Sequence, residues 1–213
     1  GRTKANVEVG DLVLVSGTVN EYPIDGYSDR FDTDLPVTEI NARFDQGGAI
    51  TILEENVPLP EPVEITKETL PDEFIDNDSF GSFDPEEDAI DFWESLEGML
   101  VEFAGLKAVA PQEYGDLITV LSDAKTDTKN GGLLIGPTDF NPERIHFKLH
   151  PNDDAENFAV RTGDLFKGPI VGVVNYGYQN YKIYADLDDM EKAHVPNSKT
   201  KPERSLLKSD RNS

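Results

Sequence analysis

The chain has 213 residues, enough for one or two domains with their own cores, and 37% of them are hydrophobic. With 42 acidic against 19 basic side chains the net charge is -23, which excludes nucleic-acid binding by bulk electrostatics and leaves only local contacts. The absence of cysteine excludes disulfides, thiolate metal sites and thiol nucleophiles, and three histidines leave oxygen-liganded calcium or magnesium as the metals the composition favours.

Taken in chain order, most segments read as short strands separated by turn residues. Val7 to Tyr22, Ala49 to Glu54, Met99 to Val109, Asp116 to Ser122, Gly132 to Ile135, Arg144 to His150 and Ile170 to Tyr184 are rich in β-formers. This pattern predicts a mainly β chain of barrels or sandwiches. The prolines of NVPLPEPVEI cannot donate to a central ladder, so Pro58, Pro60 and Pro62 mark an extended connector. Gly10-Asp11 followed by Gly17-Thr18-Val19-Asn20 is echoed by Gly163-Asp164 followed by Gly172-Val173-Val174-Asn175, with Tyr22 and Tyr176 just beyond. A Gly-Asp turn feeding a strand that bends at a second glycine suits a small coiled barrel, so two related β modules are expected.

The stretch FDPEEDAIDFWESLEGM predicts one short helix over 85–97. Asp84 is the expected cap, Pro85 the first helical residue and Glu87 the return half of a capping box. Ala89, Ile90, Trp93 and Leu96 form an apolar stripe, and Gly98 stops the helix. The expected organisation is a first β module over 1–66, short of strands and so incomplete, an acidic connector with the helix over 67–97, a second module over 98–190, and a basic linker over 191–213. There is no run of about 18 apolar residues, so no membrane partner is expected.

Four groups of residues invite chemistry. Asp76, Asp78, Gly81 and Glu87 fall at positions of a calcium loop, although Phe80 occupies a ligand position, and Asp84 adds another carboxylate. Asp25, Asp29, Asp32 and Asp34 form a further acidic loop that could gather calcium. Alternation places Arg144, His146, Lys148 and His150 on the face opposite Ile145, Phe147 and Leu149, either a phosphate-contacting stripe or an ordinary polar face. Tyr176, Tyr178, Tyr181 and Tyr184, with Lys182 among them, could stack bases beside a cation or pack as strand aromatics. No glycine-rich phosphate loop, nucleophile elbow or His–Asp pair of plausible spacing is evident, so no catalytic residues are assigned.

VEVGDLVLVSGTVNEY, NVPLPEPVEI, FDPEEDAIDFWESLEGMLVEF, NPERIHFKL and GPIVGVVNYGYQNYKI together resemble the region that precedes the catalytic domain in large secreted bacterial nucleases of the endonuclease/exonuclease/phosphatase superfamily. The resemblance implies two small OB-like (oligonucleotide/oligosaccharide-binding) β-barrel modules, the first represented by its second half. It implies a non-catalytic region, extracellular or at the cell surface, that positions DNA or RNA for a metal-dependent nuclease domain following the basic linker. Arg144, His146, Lys148, Tyr176, Tyr178, Tyr181 and Lys182 are then the expected contacts. Magnesium or calcium would serve that catalytic domain, and no cofactor is expected in this region other than calcium. A calcium-dependent β module contacting carbohydrate or protein at the cell surface is the alternative.

Overall fold

The computed structural model describes residues 6–23, 31, 33–197 and 199. The chain forms β1 (Leu12–Ser16), β2 (Thr18–Tyr22), β3 (Val37–Asn41), a 3-10 turn at Phe44–Gln46, β4 (Ala49–Glu54), β5 (Val63–Glu64), α1 (Ala89–Ser95), β6 (Leu100–Ala108), β7 (Asp116–Leu121), β8 (Ile145–His150), α2 (Asn152–Ala155), β9 (Leu165–Gly177), β10 (Asn180–Asp186), α3 (Leu187–Ala193) and β11 (His194–Val195). The protein is mainly β.

Five strands close on themselves. β6 pairs with β7, β7 with β8, β8 in parallel with β10, β10 with β9, and β9 back with β6. This is an OB-like barrel, in which closure removes the free edges of the sheet. Alternate residues of every strand point inward, and Val101, Phe103, Leu106, Leu117, Ile145, Phe147, Leu149, Phe166, Val174 and Ile183 are almost completely buried. The Phe103 and Phe147 rings meet edge to face at 5.3 Å across the interior.

The acidic connector belongs to the same core. Ile65, Leu70, Phe92, Trp93 and Leu96 pack into the cluster formed by the barrel strands, and β5 runs parallel to β6. α1 is shorter than the expected helix over 85–97. Residues 85–87 make a separate turn in which the Asp84 carbonyl accepts the amides of Glu87 and Asp88. Asp88 then stays extended, at φ -107° and ψ 127°, because it bridges Phe74. The predicted cap is therefore displaced, and Asp88 rather than Asp84 precedes the helix. At the other end, α3 and β11 carry ordered structure to Val195, past the expected start of the linker at 191; residues 198 and 200–213 lie outside the described residues. Gly132 to Ile135 does not form a strand. The side chains of Asp127 and Thr128 accept the amides of Leu134 and Gly132, diverting that backbone from a ladder.

The first module is two two-stranded antiparallel ribbons, β1 with β4 and β2 with β3, rather than a barrel. It shares its local construction with β9 and β10. In each Gly-Asp turn the glycine has positive φ, +98° at Gly10 and +86° at Gly163. The aspartate amide donates to the carbonyl three residues back, and its carboxylate accepts that residue's amide at 2.9 Å, from Glu8 to Asp11 and from Arg161 to Asp164. The second glycine is again a point of close approach. A Cβ at Gly17 would sit 2.4 Å from the Asn41 carbonyl oxygen, and one at Gly172 would sit 2.8 Å from that of Tyr184. The next residue in each case, Thr18 or Val173, pairs with that same partner. Residues 10–54 thus repeat the order of β9, β10, α3 and β11, with β1 and β2, broken at Gly17, together in the place of β9, then β3, the 3-10 turn and β4 as the return strand. Leu12, Leu14, Val19, Ile40 and Leu53 remain exposed on it.

Gly172→Ala also brings its methyl within 2.5 Å of Ile183 Cγ2, against backbone that closure holds in place. It is expected to destabilise the barrel by roughly 3 kcal/mol, read as a lower denaturant midpoint at unchanged slope.

Candidate functional site

One outward face of the barrel is built on a single carboxylate. Asp116 opens β7 directly opposite Lys148 of β8, and Lys148 in turn lies beside Tyr184 of β10. Lys148 Nζ donates to Asp116 Oδ2 at 2.9 Å, while Lys182 Nζ and His146 Nε2 each reach Oδ1 at 2.8 Å. Three strands therefore converge on one acid. Lys182 is only 6% exposed, and its ammonium lies 5.5 Å from the centre of the Tyr178 ring, a cation–π contact.

Partial burial pushes the Asp116 carboxyl up, but the hydrogen bonds from Lys182 and Lys148, the charge of Lys182 and the His146 bond outweigh it and lower its pKa to about 2. Burial and then the charge of Lys182 push the His146 imidazole down to about 4, against the hydrogen bond and charge of Asp116. His146 is consequently neutral at physiological pH. An ionised Asp116 only accepts, so His146 Nε2 carries the hydrogen between them. Arg144, whose charge is also felt at His146, adds a third permanent cation to the face. Lys148 and Lys182, both bonded to Asp116, outnumber that central carboxylate.

Two loops frame this face, and each sets a tyrosine there in a strained conformation. Tyr114, between β6 and β7, has φ 53°, and Tyr178, in the turn between β9 and β10, has φ 52°. Gln179 follows at φ 64°, so the tight turn uses two non-glycine residues where asparagine and glycine are the unstrained choice. Left-handed backbone at a bulky residue costs on the order of 1 kcal/mol. Lys148 Nζ donates to the Tyr114 carbonyl at 2.8 Å, and Asn180 Nδ2 to the Tyr178 carbonyl at 2.8 Å, which hold the two turns. Tyr114 is 67% exposed and Tyr178 59%.

The structure divides the residues singled out from the sequence. His146, Lys148, Lys182 and Tyr178 gather on the Asp116 face. Tyr176 and Tyr181 instead point into the barrel, where their rings pack 5.0 Å apart. Tyr176 is 3% exposed and its hydroxyl accepts the Leu35 amide; the Tyr181 hydroxyl donates to the Glu94 carboxylate. Alternation along β9 and β10 sends both toward α1, away from the Asp116 face. With Arg144, His146 and Trp93 they line a cleft of about 160 Å³ between α1 and the barrel. Asp116 and Tyr114 escaped the sequence reading. An acid at a strand start and a tyrosine beside a glycine have no distinctive spacing, and only the β7–β8 register brings Asp116 to Lys148 and Tyr114 within its reach.

Of the calcium candidates, Asp76, Asp78 and Asp84 lie in one acidic corner. Glu87 is exposed and is not among the carboxylates grouped there, whereas Asp88 and Asp91 are. Residues 85–87 form their own turn, so the calcium-loop spacing is interrupted before Glu87. Asp25, Asp29 and Asp32 lie outside the described residues; the Asp34 carboxylate accepts the Phe31 amide.

The described part of the chain thus presents an OB-like barrel with a cationic, tyrosine-framed face. Residues 59–196, more than half of the chain, match a family described as a domain of unknown function (DUF8508), and the chain belongs to that family. The match runs from the connector preceding β5 to the residue after β11, so it takes in the acidic connector, the barrel and α3 as one unit. Searches of curated proteins and of solved structures find no match.

Because the folded chain refuses a proton at His146 that the unfolded chain accepts below pH 6.5, stability falls as pH drops from 6.5 to about 4. The Asp116 contribution runs lower, lost only as pH falls below 3.8 toward 2. His146→Gln, which can still donate to Asp116, is expected to lose on the order of 2–3 kcal/mol less stability than the parent between neutrality and pH 4. Parallel stability profiles of the two proteins would show that the imidazole titrates normally.

Proposed function

We propose that this chain is a non-catalytic, single-strand-binding region that positions DNA or RNA for a secreted bacterial nuclease. The observation that carries the proposal is the pair of strained, exposed tyrosines set on either side of Lys148 and Lys182. In OB-like barrels the face of the second and third strands, with the first-to-second and fourth-to-fifth loops, takes up oligonucleotides or oligosaccharides. Here β7, β8 and the loops bearing Tyr114 and Tyr178 occupy that place. Base stacking on tyrosine with a cation alongside tolerates any sequence, as a region that only positions substrate requires. Strain retained at both tyrosines favours a binding role over a packing one, since neither side chain fills the core.

The catalytic domain, its metal and the extracellular location enter through the resemblance of the quoted segments to secreted nucleases. The chemistry of the Asp116 face supplies no nucleophile or general base. Its one carboxylate is held ionised by two lysines, and its one imidazole has its outward nitrogen committed to that carboxylate.

The net charge of -23 adds a distinctive condition. At low ionic strength the whole-molecule field repels a polyanion, whereas at 0.10–0.15 M the screening length of about 8–10 Å restricts the interaction to the local cationic face. At higher salt the phosphate contacts weaken through loss of counterion release. Affinity for a labelled single-stranded oligonucleotide of about ten nucleotides, followed by fluorescence anisotropy, is therefore expected to be greatest at intermediate salt. Tyr178→Ala and Arg144→Ala should each weaken it by roughly tenfold while leaving the melting temperature nearly unchanged. No binding at high micromolar protein across the salt range, or variants that bind as the parent does, would overturn the proposal.

A further inference from the structure

Away from the Asp116 face, the connector folds Asp76, Asp78, Asp84, Asp88 and Asp91 into one corner beside the start of α1. Carboxylate oxygens of Asp84, Asp88 and Asp91 all lie within 4.8 Å of one another, and so do those of Asp76, Asp78 and Asp88. Among the described residues no lysine, arginine or histidine forms an ion pair with any of the five. Crowding of this kind on an exposed loop would be unremarkable, but the centre of this one is sealed. Asp88 is 0% exposed; its Oδ2 accepts the Asn77 amide at 3.1 Å, and its Oδ1 is buried with no donor. Asp84 Oδ1 is likewise buried without a donor. Two orphaned carboxylate oxygens within one acidic cluster, with no ion pair to a cation among the described residues, are a costly arrangement that a bound metal ion resolves.

The geometry points to a calcium site in which Asp84, Asp88 and Asp91 are the inner ligands and Asp76 and Asp78 complete the acidic shell from the loop. The inner triad is preferred because it contains both orphaned oxygens. In the outer pair, both Asp76 oxygens already accept backbone amides, from Ser79 and Phe80, and Asp78 Oδ1 accepts that of Gly81. An all-carboxylate set without cysteine or histidine selects a hard cation. The irregular spread of oxygens suits the flexible six- to eight-fold coordination of calcium better than the strict octahedron of magnesium. Burial and the charges of Asp88, Asp78, Glu87 and Asp91 push the Asp84 carboxyl up, the direction that an uncompensated cluster imposes.

Such an ion ties the loop to the barrel. Asp88 bridges Phe74, and the amides of Ala89 and Ile90 donate to the carbonyls of Phe74 and Ile75 at 3.1 Å. The next turn of α1 then delivers Phe92 and Trp93 to the core. Calcium binding is thus linked to the docking of α1, independently of any nucleic acid.

The test is calorimetric titration of calcium chloride into the chelator-treated 213-residue chain, with melting curves recorded in calcium and in magnesium. Saturable binding in the micromolar range is expected, together with a rise in melting temperature of about 5 °C or more at millimolar calcium and a smaller rise in magnesium. Asp88→Asn keeps an acceptor for the Asn77 amide while removing the buried charge. It should abolish the calcium response yet melt no lower than the metal-free parent, an outcome that a purely structural aspartate would not give. If Asp88→Asn fails to fold, Asp91→Asn, at a partly exposed position, serves as the second variant and should weaken calcium binding at least tenfold. Absence of any calcium response in the parent would overturn the assignment. So would equal stabilisation by calcium and magnesium that both variants retain, since that is general screening of a highly negative chain.

Discussion

Closure of the barrel through β6 is the constraint on which the other features depend. β6 pairs with β7 along one edge and with β9 along the other, so every strand from Leu100 to Asp186 has its register fixed relative to every other. The parallel pairing of β8 with β10 completes the circuit and places Phe147 beside Ile183 inside, and Lys148 beside Tyr184 outside. A slip of one residue in any pairing would exchange these faces. The same registers that bury the core therefore bring the ammonium groups of Lys148 and Lys182 to one carboxylate. No flexible loop is needed to assemble that cluster, because its acid and its three basic partners all stand on strands.

Charge is distributed on this scaffold by burial more than by count. The Asp116 cluster and the acidic corner at Asp88 are both partly desolvated, yet their balances are opposite. At Asp116 two ammonium groups and a neutral imidazole satisfy one carboxylate, and the pKa falls. At Asp88 no cation among the described residues pairs with the carboxylates, and the neighbouring Asp84 shifts upward. A net charge of -23 conceals both facts. The electrostatics that bear on function are set within a few ångströms, where screening by salt is weakest.

Much of the fold was legible in the sequence because its signals are local. Alternation in RIHFKLH announced a strand with Ile145, Phe147 and Leu149 inside, and the Gly-Asp and second-glycine spacing announced two related units whose turns share the same hydrogen bonds. The cation face was visible through His146, Lys148 and Lys182. Its organising residue was not, since Asp116 lies 30 residues from His146 and 66 from Lys182, and only closure joins them. Tyr176 and Tyr181 were misjudged for the complementary reason. Strand alternation fixes that they share a side, but which side faces α1 depends on how the helix docks. The calcium-loop pattern picks out Asp76, Asp78 and Asp84, which cluster with Asp88 and Asp91, but also Glu87, which is not among the grouped carboxylates; the extended backbone at Asp88 resets the helical phase on which the choice of Glu87 rests.

The repeated turn shows where local code stops. Asp11 and Asp164 make the same two hydrogen bonds to the residue three positions back, and Gly17 and Gly172 press against their partner strands in the same way. Yet Phe166, two residues beyond Asp164, is buried, whereas Leu14 and Val19 on the first unit are exposed. Turn chemistry and glycine placement determine how a strand bends, and they do so without a core beneath it. Burial is conferred by the strands that close over the bend, which β6, β7 and β8 provide for the second unit and which have no counterpart among the described residues of the first. The two units therefore share a backbone design and differ in closure. Only the closed one holds a face rigid enough to fix two lysines, a histidine and two strained tyrosines around a single aspartate.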